Sequence, residues 1–412
     1  MNLKTLSTLV LWAFSTALFA QQSFNIEVTN PSKEARKDQP VVIQLDERND
    51  IQSAIVMLQG QEIPCQLDDL NRDGIYDELC FLVDLDKKQT CEYSVTLYNI
   101  GEPRDYKART YAELMLRNPK VKEKNKQDFY ITELTVPKEL EDPYHMVHHH
   151  GVAFENELIA VRIYFDQRQT LDLYGKYNKQ LELKESQFYT TDDLKAKGYG
   201  DDVLWVGQTF GLGAFRGWDG KQPVHLTDVN QRTQRIIAQG PLRTIVEVED
   251  RGWKAHPQLP RLNATLRYTL YAGHRDIDVD VFFNRDVQGI DFSTGLINVK
   301  NSKEYSDKQG VRGCWGTDFP AGAKDSIAHP RETVGLGIFI PEEYRRSEKP
   351  ANKDNYTFVI GTRDNSLHYK LAYTSAKESF GFKNEKEWFR FLREWKKDIA
   401  ESIIVKRITI DE

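Results

Sequence analysis

The sequence predicts a mainly β protein, with a small N-terminal β-sandwich followed by a large antiparallel, supersandwich-like β-sandwich and few helices. Short runs that alternate apolar and polar residues, such as FNIEVTN, PVVIQL and SAIVMLQG, are separated by turn-rich stretches about every ten residues. A period of two indicates half-buried strands. Strand-like runs then follow one another with almost no amphipathic helix between them, which favours antiparallel sheets over a parallel α/β fold.

Composition divides the chain into four parts. Residues 1–20 are predicted to be an export signal and residues 21–100 the small sandwich, whereas residues 101–143, rich in Lys, Arg, Glu and Pro, are predicted to be a linker. Residues 144–412 are predicted to form the large sandwich and to carry the active site. Their one clear helix is NEKEWFRFLREWKKDIAE, in which Trp388 and Trp395 recur at helical spacing and are expected to pack in the core.

The first twenty residues have the order of a cleavable signal peptide. A basic start with Lys4 precedes an apolar run from Leu6 to Phe19, which ends at Ala20. This run falls short of the roughly 20 apolar residues that a membrane-spanning helix needs. No cysteine stands near the boundary to accept a lipid. The sequence therefore predicts a periplasmic or secreted protein without a membrane span.

The charge of the chain limits its possible partners, and its cysteines limit its possible disulfide bonds. The net charge is -6, and basic and acidic residues are interspersed. No extended basic field is expected, so nucleic acid is excluded as a partner. The cysteines Cys65, Cys80 and Cys91 allow one N-terminal bridge, either Cys65 with Cys80 or Cys80 with Cys91, whereas the remote Cys314 is expected to be a buried thiol.

The stretch DDLNRDGIYDEL has the spacing of a calcium loop. Oxygen-bearing side chains stand at the first, third, fifth and ninth positions of the loop, and these are Asp69, Asn71, Asp73 and Asp77. The glutamate that closes such loops is replaced by Cys80. The alternative is a hairpin turn in which Asn and Asp serve the backbone alone. Both interpretations stay open, and calcium would be a structural ion, since no cofactor is expected to take part in chemistry.

The densest group of reactive side chains lies in YHMVHHHGVAFENELIAVRIYFD, which includes His145 and His148. Imidazoles act as acid, base or metal ligand near neutral pH, and a strand from about Glu157 would point alternate residues to one face. The candidate catalytic residues here and downstream are His149, His150, Arg162, Tyr164, Tyr189 and Arg216. The alternative is a solvated loop of polar residues.

Long connections between strands supply candidates for substrate binding. Loops as long as the stretch from Glu185 to Leu226 are more often binding features than idle spacers. Tryptophans can stack on sugar faces, and Arg216 can hold a carboxylate. The candidate binding residues are Glu155, Trp205, Trp218, His225, His274 and Trp315. Each alone is typical of a structural role, and their joint occurrence with the histidines indicates a site.

Several ordered motifs resemble one known family. They are HHHGVAFENELIAVRIYFDQRQTLDLYGK, GYGDDVLWVGQTFGLGAFRGWDG, GPLRTIVEVEDRGW, YAGHRDIDVDV and GCWGTDFP, and they resemble domain of unknown function 4861, found in polysaccharide-utilisation proteins of Bacteroidetes. The resemblance covers roughly residues 24 to 410. It implies an exported carbohydrate-active protein whose partner is an oligosaccharide or polysaccharide that contains uronic acid.

Elimination from a uronic acid is the reaction that both the family resemblance and the candidate residues favour. It needs a base for the C5 proton of the uronic acid, an acid for the leaving oxygen and a cation for the carboxylate, which His, Tyr and Arg supply. A lyase or dehydratase is therefore predicted. One alternative is a glycoside hydrolase with paired carboxylates, drawn from Glu155, Glu157, Asp201, Asp202 and Asp219.

The other alternative is a glycan-binding protein without catalysis. Such a protein would not need His149, His150 and Tyr189 close together, so convergence of these residues discriminates between the classes. For an enzyme, one cleft is predicted to hold His149, His150, Arg162, Tyr164, Tyr189, Arg216, Trp218 and Trp315.

Overall fold

A computed structural model describes residues 21–46, 50–123, 126, 129–140, 142–257, 259–321 and 329–408. The predicted export signal lies outside these residues. Within them, no helix is long and apolar enough to cross a membrane.

Strands make up most of the regular structure, as predicted. In chain order they are β1 (Gln21–Thr29), β2 (Arg36–Gln44), β3 (Ser53–Leu58), β4 (Gln61–Ile63), β5 (Cys65–Asp68), β6 (Glu78–Leu85), β7 (Thr90–Tyr98), β8 (Thr110–Glu113), β9 (Met115–Leu116), β10 (Phe129–Tyr130), β11 (Glu133–Pro137), β12 (Gly151–Asn156), β13 (Ala160–Tyr164), β14 (Leu171–Gly175), β15 (Asp201–Asp202), β16 (Arg216–Trp218), β17 (Pro223–Val224), β18 (Gln231–Gln239), β19 (Arg243–Trp253), β20 (Leu262–Tyr271), β21 (Asp276–Phe283), β22 (Phe292–Ile297), β23 (Lys303–Ser306), β24 (Val311–Asp318), β25 (Glu332–Phe339), β26 (Arg345–Glu348), β27 (Asn355–Ile360), β28 (Ser366–Ser375) and β29 (Ile404–Ile408). The α-helices are α1 (Leu183–Ser186), α2 (Asp192–Ala196) and α3 (Glu385–Ala400), and short 3-10 turns cover Pro143–His145, His148–His150 and Glu342–Tyr344.

The N-terminal strands form the small sandwich. One sheet has the order β29-β1-β7-β3-β4 and the other the order β2-β6-β5. Their facing sides share a core that includes Val28, Val41 and Phe81. The period-two alternation of the sequence thus buries one side of each sheet, and the predicted small sandwich is confirmed.

The large sandwich packs a nine-stranded sheet against two five-stranded sheets. The nine-stranded sheet has the order β11-β18-β19-β20-β21-β28-β25-β24-β23. The opposing sheets have the orders β15-β14-β13-β12-β8, here called the β13 sheet, and β17-β16-β22-β27-β26. Side chains from all three, such as Ile163, Leu266 and Phe292, form one core. Because the strands pair antiparallel, the predicted fold class is confirmed.

Distant parts of the chain are joined by strand pairing. Residues 101–143, predicted to be a linker, supply β8, which pairs with β12, and β11, which pairs with β18. The last strand, β29, returns to pair with β1 in the small sandwich. Local composition does not show which strands pair when they are far apart in sequence. The charged composition of residues 101–143 therefore suggested a linker.

The four cysteines are unpaired, so neither N-terminal bridge that the sequence allows is formed. Burial raises the pKa of Cys80 and of Cys314 to about 12. Both are therefore thiols at neutral pH, and the buried Cys314 thiol is confirmed.

The predicted C-terminal helix is α3, and it packs on the outer face of the nine-stranded sheet. Asn384 caps it by accepting the backbone N–H groups of Lys386 and Glu387. Glycines in the sheet make room for the helix, since a Cβ at Gly313 would lie 2.3 Å from a methyl group of Leu392. Trp388 is fully buried there, as the sequence predicts.

Replacing Trp388 by Ala should lower the free energy of unfolding by about 3–5 kcal/mol, because the change leaves a cavity between α3 and the sheet. It also removes a hydrogen bond from the indole Nε1 to the Leu336 carbonyl, 3.1 Å long. Urea unfolding measures the difference. Arg390→Ala, on the exposed side of α3, is the control and should change stability by less than about 0.5 kcal/mol. A loss below about 1 kcal/mol for Trp388→Ala would show that the helix contributes little.

Candidate functional site

The site lies on the outer face of the β13 sheet. Val161 and Ile163 point into the sandwich core, so the alternating residues Arg162 and Tyr164 point to the opposite face. Asp172 stands directly across from Arg162 on the neighbouring strand β14. Strand geometry thereby places a cation, a phenol and a carboxyl group side by side.

Glu155 anchors the segment that covers this face. Its carboxylate accepts the backbone N–H groups of Glu182 and Leu183, at 2.7–2.9 Å, at the start of α1. Lys176 pairs with the same carboxylate at 2.5 Å, and both side chains are fully buried. Glu155, predicted to bind substrate, is therefore placed where it orients the chain that leads to Tyr189.

Two segments of strained backbone meet above the sheet. The angle φ is 41° at His149 and 73° at His150, and it is 45° at Gln187 and 66° at Phe188. Each non-glycine residue in the left-handed region costs on the order of 1–3 kcal/mol and persists only where its surroundings enforce it. Such residues concentrate at functional sites, and here they present the histidines to Tyr189.

Five aromatic side chains form what we call the His–Tyr cluster: Tyr144, His148, His150, Tyr164 and Tyr189. Tyr144 and His150 stack with 3.8 Å between ring centroids, and Tyr164 meets Tyr144 edge-on at 5.1 Å. Tyr189 lies 6.4 Å from His150 and 5.7 Å from His148. Three of the residues that the sequence places in one cleft, together with the adjacent Arg162, therefore come together.

His150 has a defined protonation state. Its Nδ1 lies 3.1 Å from the Tyr144 carbonyl oxygen, which can only accept, so Nδ1 carries the hydrogen and Nε2 carries the lone pair. Burial, and next the charge of Arg162, lower the pKa of His150 to about 3. The imidazole is neutral at physiological pH and can accept a proton at Nε2.

Arg162 lies at the centre of the site with every donor used. Its Nε and Nη2 donate to Asp172, at 3.1 and 2.6 Å, and Nη2 also donates to Asp202 at 3.0 Å. Its Nη1 donates to the Tyr189 hydroxyl at 3.2 Å and approaches the His149 carbonyl at 3.5 Å. Arg162 therefore orders the site and has no free N–H for a ligand.

His149 points away from the cluster. Its Nε2 lies 3.0 Å from a Glu113 carboxyl oxygen, and neither side chain is exposed. Burial lowers the pKa of His149 to about 3 and raises that of Glu113 to about 8, so both groups are uncharged near pH 7. The left-handed turn at 149–150 sends these two side chains in different directions, and His149 is a buried supporting residue.

The other predicted residues lie outside the cluster. Arg216 is 2% exposed, and its guanidinium donates to Thr170 and to the carbonyls of Phe215 and Thr209. Trp315 packs with Trp388 on the outer face of the nine-stranded sheet, on the opposite side of the sandwich. Long-range packing, which local patterns do not report, decides these positions.

Four binding candidates are also dispersed. Trp218 lies under the Lys349 ammonium, with 5.4 Å between the nitrogen and the ring centroid. His274 bridges to the small sandwich through the Asp38 carbonyl at 2.7 Å, and burial lowers the pKa of His225 to about 4. Trp205 is 58% exposed, so its ring is open to solvent. It follows Asp202 by three residues.

Sequence patterns do not single out Tyr144 and Asp172 as site residues. A signal for Asp172 does exist, because AVRIY and LDLYG read as a hairpin would place it opposite Arg162. No such local signal marks Tyr144, whose stacking on His150 depends on the fold of the turn at 143–150.

Two cavities border residues that contact the centre of the site. One of about 540 Å³ is lined by Tyr144, and the other of about 460 Å³ is lined by Asp202. Tyr144 stacks on His150, and Asp202 is bonded to Arg162. Each cavity is therefore separated from the site by one direct contact.

The loop at 69–77 has its oxygens turned toward its own backbone. Asp69 accepts the N–H groups of Arg72 and Gly74, and Asp77 accepts that of Asn71. Among the described residues, no group of three or more His, Cys, Asp or Glu side chains is arranged to hold a metal ion. Calcium binding by this loop stays a prediction.

A calcium site at Asp69, Asn71, Asp73 and Asp77 would release or absorb heat on titration and raise the melting temperature, because an ion that binds only the folded state stabilises it. Calorimetry and thermal melting with calcium measure both effects, and magnesium serves as the control cation. No heat and an unchanged melting temperature would leave the loop as a simple turn.

Acidification should destabilise the protein through its buried histidines. His148, His149 and His150 have a pKa of about 3 when folded and an ordinary value near 6.5 when unfolded, so the unfolded chain binds more protons between these values. Stability is therefore present above pH 6.5 and is lost below it. Glu113, with its pKa of about 8, opposes this trend above pH 4.5.

These three histidines and Glu113 together contribute an expected net loss of about 2 kcal/mol between pH 6.5 and 5.5. His225 adds to the loss because its pKa is lowered, whereas buried carboxyl groups with a raised pKa, such as Asp202, oppose it. Urea unfolding at the two pH values measures the total. His150→Gln should reduce the loss by about 1 kcal/mol because one titrating group is removed. A loss that is equal in His150→Gln and in the wild type would contradict the neutral state of the His150 imidazole.

Comparisons with known proteins agree with the sequence motifs. The family model for Domain of unknown function (DUF4861) matches residues 28–405. No curated protein matches the chain.

Among solved structures, the chain is similar to a protein in the glycosyl hydrolase family 38 from Enterococcus faecalis, with 10% identity, a TM-score of 0.49, and coverage of 95% of this chain and 48% of that one. It is also similar to an alpha-mannosidase from Enterococcus faecalis V583, with 10% identity, a TM-score of 0.46, and coverage of 95% and 46%. The chain thus spans about half the length of either protein. Because the family match extends over nearly the whole sequence, the protein belongs to the domain of unknown function 4861 family.

Proposed function

We propose that this protein is a carbohydrate-active enzyme, working outside the cytoplasm, that eliminates the substituent at C4 of a uronic acid in an oligosaccharide or polysaccharide. The observation that carries the proposal is a neutral imidazole beside a phenol, His150 and Tyr189, with 6.4 Å between their ring centroids and with cavities lined by the neighbouring Tyr144 and Asp202. A base and an acid at one open site are what elimination requires.

Elimination moves two protons. A base removes the C5 proton, which the neighbouring carboxylate makes acidic, the C4–O bond breaks, and an acid protonates the departing oxygen as the C4=C5 double bond forms. His150 suits the base because Nε2 carries a lone pair. Tyr189 suits the acid because burial raises its pKa and keeps the phenol protonated. Arg162 donates to the Tyr189 oxygen and would stabilise the phenolate that remains.

An anionic substrate would strengthen the base. Burial and the positive charge of Arg162 hold the pKa of His150 low in the free protein. A carboxylate that enters beside the ring opposes that charge and raises the pKa, so proton abstraction becomes easier once substrate is bound. This coupling favours uronic acids over neutral sugars as substrates.

The surroundings of the cluster suit an oligosaccharide. A sugar bound beside Tyr144 or Asp202 would occupy one of the two cavities, and the exposed Trp205, three residues after Asp202, offers a stacking surface. Hydrolysis by paired carboxylates has less support, because Asp172 is only 1% exposed and is bonded to Arg162 and Tyr164. Glu155 is fully buried against Lys176.

His150→Ala and Tyr189→Phe should each lower turnover by about 100-fold or more, because general acid-base groups typically contribute 10²–10⁴-fold. Activity is measured on a panel of uronic-acid oligosaccharides by the ultraviolet absorbance of the new double bond. His368→Ala is the matched control, since His368 lies on the nine-stranded sheet beside Asp280 and away from the site. The melting temperature of His150→Ala should stay close to that of the wild type.

The assay separates the alternatives. Full activity of His150→Ala would remove His150 from the mechanism. A product without the unsaturated chromophore would indicate a hydrolase, and binding without any product would indicate a glycan-binding protein.

A further inference from the structure

A uronic acid substrate brings a carboxylate that neither arginine predicted from sequence can hold. All five N–H groups of Arg162 already have partners within the protein. Arg216 is buried, and its guanidinium donates to backbone carbonyls and to Thr170. A further group that faces the ligand can recognise the anion.

Two carboxyl groups share the guanidinium of Arg162. The Oδ2 atoms of Asp172 and Asp202 both reach its Nη2, at 2.6 and 3.0 Å. Two ionised carboxylates at one cation leave an excess negative charge in a poorly hydrated place, and such pairs relieve it by retaining one proton.

The hydrogen-bond donors decide which carboxyl group keeps that proton. Asp172 receives hydrogen bonds from Nε and Nη2 of Arg162, from the Tyr164 hydroxyl at 2.7 Å and from the Leu173 N–H at 3.0 Å. Among the residues that the structure describes, the donors to Asp202 are Arg162 Nη2 and the Leu204 N–H, at 3.0 and 3.1 Å. Donors stabilise the ionised form, so Asp172 is the anion and Asp202 holds the proton.

Asp202 is also the member of the pair that faces a ligand. Its side chain is 21% exposed, against 1% for Asp172, and it lines the 460 Å³ cavity beside the His–Tyr cluster. Each lysine of that cavity is ion-paired, Lys195 with Asp201 at 2.5 Å and Lys377 with Glu332 at 2.7 Å. Each lysine therefore already has a carboxylate partner within the protein.

We propose that Asp202 is held as a neutral carboxylic acid and donates its hydrogen to the carboxylate of an acidic sugar. An anion is then recognised by a proton donor and not by an arginine, and the hydrogen bond strengthens as negative charge builds on that carboxylate during proton abstraction. An ionised Asp202 would repel the same group. The identity of the anion as a uronic acid rests on the proposed function.

The electrostatic surroundings agree with this assignment. Burial and the Asp172 carboxylate raise the pKa of Asp202 well above its usual value, against the opposing effect of Arg162. The other titratable groups that face it are Asp201, Tyr164 and Tyr189 on the protein side and Tyr177, Tyr199 and His329 across the cavity. Raising the pH should ionise Asp202 and weaken the binding of an anionic sugar.

Two isosteric variants test the assignment because they should behave oppositely. The amide of Asp202→Asn still donates a hydrogen bond, so uronate binding should be retained to within about tenfold and lose its fall at alkaline pH. In Asp172→Asn, Asp202 becomes the counter-ion of Arg162 and ionises, so binding should weaken by about 10- to 100-fold. Asp202→Ala should weaken binding to a similar degree. Calorimetric titration with glucuronate and galacturonate over a pH series measures these affinities, with glucose as the neutral control.

Infrared difference spectra of wild type minus Asp202→Asn provide a readout that needs no substrate. A carboxylic acid C=O band at pH 7 is expected, and its absence between two folded proteins would overturn the assignment without any binding measurement. Loss of binding in Asp202→Asn equal to that in Asp202→Ala would also overturn it, as would wild-type protein that binds neither uronate. If a uronate binds in a pH-dependent way but no unsaturated product forms, the proposed elimination would be contradicted, whereas the role of Asp202 would be supported.

Discussion

The site depends on one buried guanidinium. Arg162 reaches strand β14 through Asp172, strand β15 through Asp202, the covering segment through Tyr189 and the histidine turn through the His149 carbonyl. A buried charge is costly unless it is paired and its donors are satisfied, so each partner is required to stay in place. A single side chain thereby connects four separate segments between His149 and Asp202.

The same charge sets the chemistry around it. It adds to the burial that keeps the imidazoles of His148 and His150 neutral, and it would stabilise a phenolate at Tyr189. The same cation opposes the protonation of Asp202, which burial and the Asp172 carboxylate favour. Because Arg162 touches or faces each of these groups, its substitution would disturb all of them together.

The apolar core and the candidate site occupy different faces of the β13 sheet. The apolar core fills the space between the three large sheets, whereas the charged and aromatic residues of the site occupy the outer face of the β13 sheet. Glycine is needed where the histidine turn enters that sheet, since a Cβ at Gly151 would lie 1.8 Å from the Ile163 carbonyl oxygen. The strained turn is held by packing from both sides, which is how such backbone conformations persist.

The sequence by itself determined the strand-rich class, the amphipathic helix α3 and the common face of Arg162 and Tyr164. These features follow from apolar periods of two and 3.6 residues, which neighbouring residues in the sequence define. It also predicted a site at the histidine segment, and the fold brings His150 of that segment beside Tyr164 and Tyr189. Only the tertiary structure decided that His150 faces the cleft while His149 faces Glu113, since a left-handed turn separates their directions. Arg216 and Trp315 lie elsewhere because packing between distant strands places them, and the protonation of Asp202 depends on neighbours that meet only in the folded chain.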